Sequence, residues 1–167
     1  MDNNTQIELR VLIQQLLGMP ENSVRPADVS QPLTGGEYAI VQLTDMVGQG
    51  WAGGYKHARQ PSIVTMTIDF MGDDAAKNAN QLKIAMQTEY GLDKLYDLGV
   101  GYLRCSEPRN LTSLELERTK RYQVKLQLSY LTAYNMPMTV PDDYRDRYQN
   151  EPEIDTTELP VGMIIEP

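Results

Sequence analysis

The strongest constraint on the fold is a long alternation of apolar and polar residues over positions 118–134. One side of this run carries Tyr122, Val124, Leu126, Leu128, Tyr130 and Tyr134, and the other carries Arg121, Gln123, Lys125, Gln127 and Ser129. A period of two residues predicts a β-strand with one buried face. At about 3.3 Å per residue such a strand measures roughly 56 Å, whereas a compact domain of this size has a diameter of about 37 Å. We therefore expect the strand either to bend at a bulge or to pair at its end with another subunit.

Two helices are predicted from the spacing of apolar residues. The first covers residues 5–17, where Thr5 and Glu8 have the spacing of a capping box. Gly18 and Pro20 end it, because glycine adopts the left-handed cap and proline cannot continue the backbone hydrogen bonding. The second begins after Asp73 or Asp74, either of which can cap it, and ends near residues 90–91. A short helical turn is predicted at residues 92–98.

Three further strands are predicted, at residues 38–47, 61–70 and 100–105, and loops are predicted at residues 21–37, 49–60 and 106–112. This order of elements predicts an α+β domain over residues 1–140. We expect an antiparallel or mixed β-sheet with two main helices packed on one face.

The charge of the chain is concentrated at its C-terminal end. Lys and Arg total 15 and Asp and Glu total 23, which gives a net charge of −8. Residues 141–167 hold 8 acidic and 2 basic side chains together with four prolines. This composition predicts an extended acidic C-terminal arm, with the apolar residues Val161, Met163, Ile164 and Ile165 as its anchor.

The overall composition argues against several classes of protein. A net charge of −8 disfavours electrostatic binding of nucleic-acid phosphates over a broad surface. The longest apolar stretch, residues 11–19, is far shorter than the roughly 20 residues that a membrane span requires, so we expect a soluble protein without a membrane partner. The ten tyrosines, against one Phe and one Trp, favour half-buried surfaces and protein contacts.

Motifs that carry chemistry are weak in this sequence. Residues 48–53 match the GxGxxG pattern, but too few residues precede the next predicted strand to form the helix that binds a pyrophosphate. We therefore expect these glycines in a flexible loop or hairpin tip. Cys105 is expected as a small buried side chain rather than a nucleophile paired with His57. We predict no catalytic residue, no cofactor and no metal.

Several segments together resemble a known family. They are Asp69-Phe70-Met71-Gly72 before an Ala-rich helix, Gly99-Val100-Gly101, the loop Ser106-Glu107-Pro108-Arg109-Asn110-Leu111 and the long strand beginning Arg121-Tyr122. Over about residues 5–140 the chain is similar to the tail terminator, or neck terminator, proteins of tailed bacteriophages. The resemblance implies a hexameric ring that sits on the last ring of tail-tube subunits, stops tube growth and presents a surface to the head connector.

The same resemblance implies the partners and the place of assembly. The expected partners are further copies of this chain, the tail tube protein, the head–tail connector or stopper protein, and the tail sheath. DNA is expected to pass through the channel without specific binding. The protein is expected in the virion, at the tail or neck, after assembly in the host cytoplasm.

We predict an assembly interface rather than a catalytic site. Its candidate residues are Trp51, Tyr55, His57, Arg59, Tyr130, Tyr134, Ile164 and Ile165. Exposed aromatic side chains in a glycine-rich loop are typical anchors of protein interfaces. Two alternatives remain open at this stage: another ring-forming neck or tail component, such as a stopper or tube protein, and a small cytoplasmic enzyme acting through Cys105.

Overall fold

The computed structural model describes residues 1–27, 36–51, 57–112 and 119–135. All of them belong to one unit, Met1–Asn135, so the predicted C-terminal arm lies outside the described residues. The elements in chain order are α1 (Asn3–Leu17), β1 (Val24–Pro26), β2 (Tyr38–Gly48), β3 (His57–Met71), α2 (Ala75–Ala85), α3 (Glu89–Asp97), β4 (Val100–Cys105), β5 (Arg109–Asn110) and β6 (Arg121–Asn135).

The strands form one mixed sheet in the order β1-β2-β3-β6-β4, with β5 also paired to β6. Only the β1–β2 pair is parallel; the other pairs are antiparallel. The prediction of an α+β domain with an antiparallel or mixed sheet is confirmed. The described residues contain three helices rather than the two main helices predicted.

The long predicted strand is β6, and its length is matched within the same chain. β3 and β6 have 15 residues each and pair over that whole length without a register shift. The expected bulge in β6 is absent from this pair, because β3 starts at His57 instead of the predicted Pro61 and matches β6 residue for residue. The alternative, that the end of β6 pairs with another subunit, stays a prediction. The bulges lie in the neighbouring pairs, between Leu43 and Asp45 of β2 and between Tyr102 and Arg104 of β4.

Alternation along β3 and β6 divides the sheet into a buried face and an open face. Apolar side chains from the helices and from one face of the strands form a single core. Its fully buried members include Leu9, Ile13, Val64, Met66, Ile68, Phe70, Leu82, Met86, Leu95, Val124, Leu126 and Leu128. The helices therefore lie on one side of the sheet, as the sequence predicts.

The opposite face of the sheet carries a network of polar side chains. Asp69 accepts hydrogen bonds from Arg121 Nη2 at 3.2 Å and from Gln123 Nε2 at 2.9 Å. Gln127 accepts from Arg104 Nε at 2.6 Å and donates to Thr65 Oγ1 at 3.3 Å. We refer to this side as the open face, because no helix of the described residues contributes to it.

Helix α1 begins earlier than the capping box predicts. Its N-cap is Asp2, whose carboxylate accepts from the Thr5 N–H at 2.8 Å and from the Thr5 hydroxyl at 3.0 Å. Thr5 therefore lies in the first turn instead of capping it. The end of the helix is as predicted, since Gly18 adopts the left-handed conformation with φ 60°.

The second helix ends earlier than predicted, and the predicted helical turn at residues 92–98 is a longer helix, α3, that begins at Glu89. α2 ends at Ala85, and Thr88 caps α3 by accepting from the Gly91 N–H at 3.1 Å. Gly91 lies directly against the backbone of Ala85, where a Cβ would meet the carbonyl oxygen. The break therefore depends on a threonine cap and on a glycine small enough for this contact.

The start of α2 is capped by Glu37, the residue that directly precedes β2. Asp74 is at the N-cap position, but its side chain makes no capping hydrogen bond. Glu37 supplies the carboxylate instead, accepting from the Asp74 N–H and from Asn78 Nδ2, both at 2.8 Å. The structure also places two short strands, β1 and β5, within segments predicted as loops.

Candidate assembly interface

At one end of the sheet, β3 and β6 extend beyond the strands on either side. The last pair between β2 and β3 is Gly48 with Ser62, and β4 reaches only to the Tyr130 position of β6. Within the described part of the chain, residues 57–61 and 131–135 therefore pair only with each other, apart from one hydrogen bond from the Gln49 N–H to the Pro61 carbonyl oxygen at 2.7 Å. We call these two segments the distal ribbon. Beyond that bond, the described residues leave backbone hydrogen-bonding groups free along both of its outer edges, and such groups are templates for pairing with another chain.

An apolar patch lies on the open face beside the distal ribbon. Val47 pairs with Ile63, and Pro61 pairs with Leu131. Val47 is 47% exposed and Leu131 is 50% exposed. We call these four residues the ribbon patch. Residues of this kind are normally buried, so their grouping at a strand end indicates a contact surface.

Several predicted interface residues lie at this same end of the sheet. Trp51 follows β2 and is 97% exposed. His57 and Arg59 are the first and third residues of β3, and Arg59 is exposed. Tyr134 is in β6, at the position that pairs with Ala58. Residues 57–60 are thus strand and not part of the predicted loop over residues 49–60.

The other predicted interface residues do not join this group. Tyr55, Ile164 and Ile165 lie outside the described residues. Tyr130 is half-buried, and its hydroxyl donates to Asp2 Oδ2 at 2.6 Å, which ties β6 to the start of α1. This contact gives Tyr130 a role in holding the domain together.

The hydrogen bonds around Asp2 change two pKa values in opposite directions. The Thr5 N–H, the Tyr130 hydroxyl and the Thr5 hydroxyl together lower the pKa of Asp2 to about 2. The hydrogen bond to the Asp2 carboxylate raises the pKa of Tyr130. Both shifts have the same cause, since each partner is stabilised in the protonation state that keeps this bond.

Sequence reasoning missed the ribbon patch. Ile63 departs from the alternation of its strand, because it lies on the side of Thr65 and Asp69, but a single apolar residue on a polar side does not indicate a patch. Pro61 pairs with Leu131 only because β3 begins four residues before it. The one available signal was Val47, an apolar residue at the end of a strand just before the glycines.

The structure does not bring Cys105 and His57 together as a nucleophile and its base. Cys105 pairs with Leu126, whereas His57 pairs with Asn135, nine positions further along β6. Nine strand residues correspond to about 30 Å. Cys105 is half-buried, and burial raises its pKa to about 11, so its thiol stays protonated near neutral pH.

The GxGxxG match lies between two adjacent antiparallel strands. β2 ends at Gly48, and the next element is β3 at His57. This arrangement confirms the interpretation as a hairpin connection. In the part of the chain that the structure describes, no group of three or more His, Cys, Asp or Glu side chains could hold a metal ion, and no helix there is long and apolar enough to cross a membrane.

These features define a structural domain whose exposed elements are strand edges and an apolar patch. The sequence matches the model of the family described as phage neck terminator protein over residues 7–159, and the chain belongs to this family. The match extends well beyond residue 140, where the resemblance seen in the sequence ended. Most of the C-terminal arm is therefore part of what the family shares.

Among solved structures, the chain is similar to one described as an extracellular contractile injection system, PVC sheath/tube terminator in extended state. The two chains are 10% identical with a TM-score of 0.30, and the match covers 84% of this chain and 63% of the other. This chain thus spans less than two thirds of that terminator's length, and at this TM-score the similarity supports no conclusion about its function. No curated protein matches the sequence.

Membership of the family establishes the general role of the protein. Its family is that of the phage neck terminator proteins, which are structural components of the virion at the tail or neck. Its family is not a class of enzymes, and the separation of Cys105 from His57 agrees with that role.

Proposed function

We propose that the chain forms a closed homo-hexameric ring on the last ring of tail-tube subunits, ends tail elongation there and joins the tail to the head connector or stopper protein. The observation that carries this proposal is the distal ribbon. Apart from the hydrogen bond between Gln49 and Pro61, its two edges are free in the described part of the chain, and the ribbon patch lies beside them. A ring gives each subunit two neighbours, so that such edges and patches become covered.

The contacts between neighbouring subunits are assigned to the distal ribbon and the loop next to it. Trp51 offers a large aromatic surface that is 97% exposed. Tyr55, His57, Arg59 and Tyr134 belong to the same segments of the sequence and complete the proposed interface. Aromatic and arginine side chains supply most of the binding energy in protein interfaces.

The two sides of the ring meet different partners. One side sits on the tail tube and the other faces the connector or stopper, while a tail sheath, where the tail has one, contacts the outer rim. The C-terminal arm lies along a neighbouring subunit or tail protein, with Ile164 and Ile165 in its anchor. The parts are made and assembled in the host cytoplasm.

DNA passes through the ring without being bound. A channel that held the duplex by many Lys and Arg contacts would slow its passage, because each neutralised phosphate adds to the affinity. The net charge of −8 favours a channel that repels DNA. A filter-binding assay with the purified ring should retain no duplex near physiological salt, and tight, salt-dependent retention would contradict this part of the proposal.

The ring is tested by light scattering and negative-stain microscopy of the purified protein, alone and with tube protein. We expect rings with six-fold symmetry that cap the ends of tubes. Open-ended tubes of this protein would indicate a tube subunit instead, and a monomer under both conditions would overturn the proposal.

A pair of variants tests which surface closes the ring. Leu131→Asp places a charge in the ribbon patch and should prevent ring formation, because an unpaired charge is costly to bury in an interface. Ile84→Asp is the matched control, since Ile84 is 66% exposed on α2, away from the ribbon patch. Rings formed equally by both variants would remove the ribbon patch from the interface.

A further inference from the structure

Strand β1 leaves most of the β2 edge uncovered. β1 has 3 residues, and it pairs only with Ala39, Ile40 and Val41 of β2. One further hydrogen bond joins the Ala27 N–H to the Val41 carbonyl oxygen at 3.2 Å. Within the described part of the chain, the remaining residues of β2, from Gln42 onward, have a partner strand on one side only.

The uncovered edge has backbone groups ready to pair. The Ala39 N–H donates to the Ser23 carbonyl oxygen at 2.9 Å, and the Val41 carbonyl accepts from Ala27, so both residues direct their backbone groups toward β1. Directions alternate along a strand, and the next residue with this orientation is therefore Leu43. Its N–H and carbonyl face the side where β1 has already ended.

Helix α1 and this edge enclose a groove. A cavity of ≈ 420 Å³ lies between them, lined among others by Gln6, Arg10, Val41, Leu43 and Met66. We call this cavity the edge slot. Beside it lies a second cavity of ≈ 490 Å³, which shares Arg10 and Pro26 with the edge slot.

The second cavity is lined by apolar, amide and basic side chains. Ile7 and Val11 of α1 line it and are 42% and 45% exposed, and Arg25 lies opposite them on β1. Arg10 and Arg25 form no ion pair with any described residue, and no acidic side chain is among the residues lining either cavity. Apolar side chains beside two arginines, with amide groups that can bond a peptide backbone, suit an extended peptide that carries both apolar residues and carboxylates.

The sequence contains a segment with that chemistry. Residues 161–165 read Val-Gly-Met-Ile-Ile, and Glu158 and Glu166 flank them. β-branched residues favour the extended conformation that an added strand requires. The surrounding arm, residues 141–167, has 8 acidic and 2 basic side chains, which complements the arginines of the groove.

We propose that residues 158–166 of a second copy of this chain add a strand to the edge of β2, inside the edge slot. One of the two flanking glutamates, Glu158 or Glu166 according to the direction of the added strand, then lies near Arg10 and Arg25. The inference rests on the proposed self-assembly and names the surface that receives the arm. The 26 positions between Asn135 and Val161 span at most about 90 Å when extended, which exceeds the roughly 37 Å diameter of a domain of this size. The arm is long enough to reach a neighbouring subunit.

The test uses the full chain with a photo-crosslinking benzoylphenylalanine in place of Ile164. Isotope-labelled and unlabelled copies are mixed before irradiation, and the cross-linked peptides are identified by mass spectrometry. We expect crosslinks from position 164 to residues 6–11 or 41–43, joining a labelled copy to an unlabelled one. The probe at Ile154, an apolar position of the arm outside the anchor, is the matched control and should not crosslink to these residues.

A charge exchange tests the contact independently. Arg10→Glu should lower the crosslink yield about tenfold, as expected for the loss of one charge-assisted hydrogen bond. Glu166→Lys or Glu158→Lys in the same chain should restore it, which a merely misfolded variant would not allow. Failure of both second substitutions to restore the yield would overturn the proposal.

Negative-stain images of the same samples distinguish a failure of this inference from a failure of the proposed function. Rings whose crosslinks lie outside the edge slot, or only within single chains, would overturn this inference and leave the proposed function standing. Absence of rings together with crosslinks only within single chains would overturn both.

Discussion

Replacing Gly91 with alanine sets two effects of opposite sign against each other. Gly91 is the third residue of α3, where alanine is normally more stable than glycine by about 1 kcal/mol. The new Cβ, however, would collide with the carbonyl oxygen of Ala85 and lie 3.2 Å from its carbonyl carbon and 3.3 Å from Met86 Cα. These are backbone atoms and cannot rotate away, so the two helices would have to move apart.

The collision should outweigh the helix propensity. Overpacking of a well-packed site costs about 1–3 kcal/mol, and a clash with backbone belongs to the upper part of that range. We therefore expect Gly91→Ala to lower the free energy of unfolding by about 1–2 kcal/mol. For a protein of this size, that corresponds to a fall in Tm of about 2–8 °C.

The assay is thermal unfolding followed by circular dichroism or calorimetry. Asp93→Ala is the matched control, because Asp93 is exposed in the same helix and its replacement creates no collision. This control should change the free energy of unfolding by less than about 0.5 kcal/mol. A Gly91→Ala protein as stable as the wild type, or more stable, would refute the assigned contact between α3 and the end of α2.

Three further predictions concern single side chains. The pKa of Asp2 is lowered to about 2, so the stability that its carboxylate contributes is present above the unfolded pKa near 4 and is lost as the pH falls toward 2. The free energy of unfolding, measured by urea titration at pH 5 and pH 2.5, should therefore fall less between these pH values in Asp2→Asn than in the wild type; an equal fall in both proteins would contradict the lowered pKa. Cys105, with its pKa raised to about 11, should react with iodoacetamide at pH 8 more slowly in the native protein than in urea, and equal rates would contradict its burial. Trp51, which is 97% exposed, should be quenched by acrylamide as readily in the free protein as in the unfolded chain and be protected in the ring; equal quenching in free and assembled protein would remove it from the interface.

The regular parts of the fold could be predicted from the sequence because each depends on its own residues. The alternation of β6 and the helical spacing of α1 are repeated often enough to be read directly. The start of α1 was misplaced because Asp2 provides the cap and Thr5 is its partner. The break between α2 and α3 was predicted about four residues too late, because a single Thr88 cap and one small residue, Gly91, determine where it lies.

The candidate site depended on information that local sequence does not hold. Exposure of Val47 and Leu131 follows from where β2 and β4 stop relative to β3 and β6, which is a property of the whole sheet. Glu37 caps helix α2, which begins 38 positions later in the chain, at Ala75. Contacts of this kind arise from tertiary structure, so neither the spacing nor the composition of the sequence indicates them.

The unbroken ladder between β3 and β6 has a mechanical consequence. The C-terminal arm follows β6 in the sequence, so a pull on the arm directed along the axis of β6 loads that strand lengthwise. Hydrogen bonds between antiparallel strands run perpendicular to this axis. The load is then shared in shear by all 15 residues that β3 sets against β6, and by β4 on the other flank, instead of opening one pair at a time. A subunit held by its arm would for this reason transmit tension to its neighbour before its own sheet gives way.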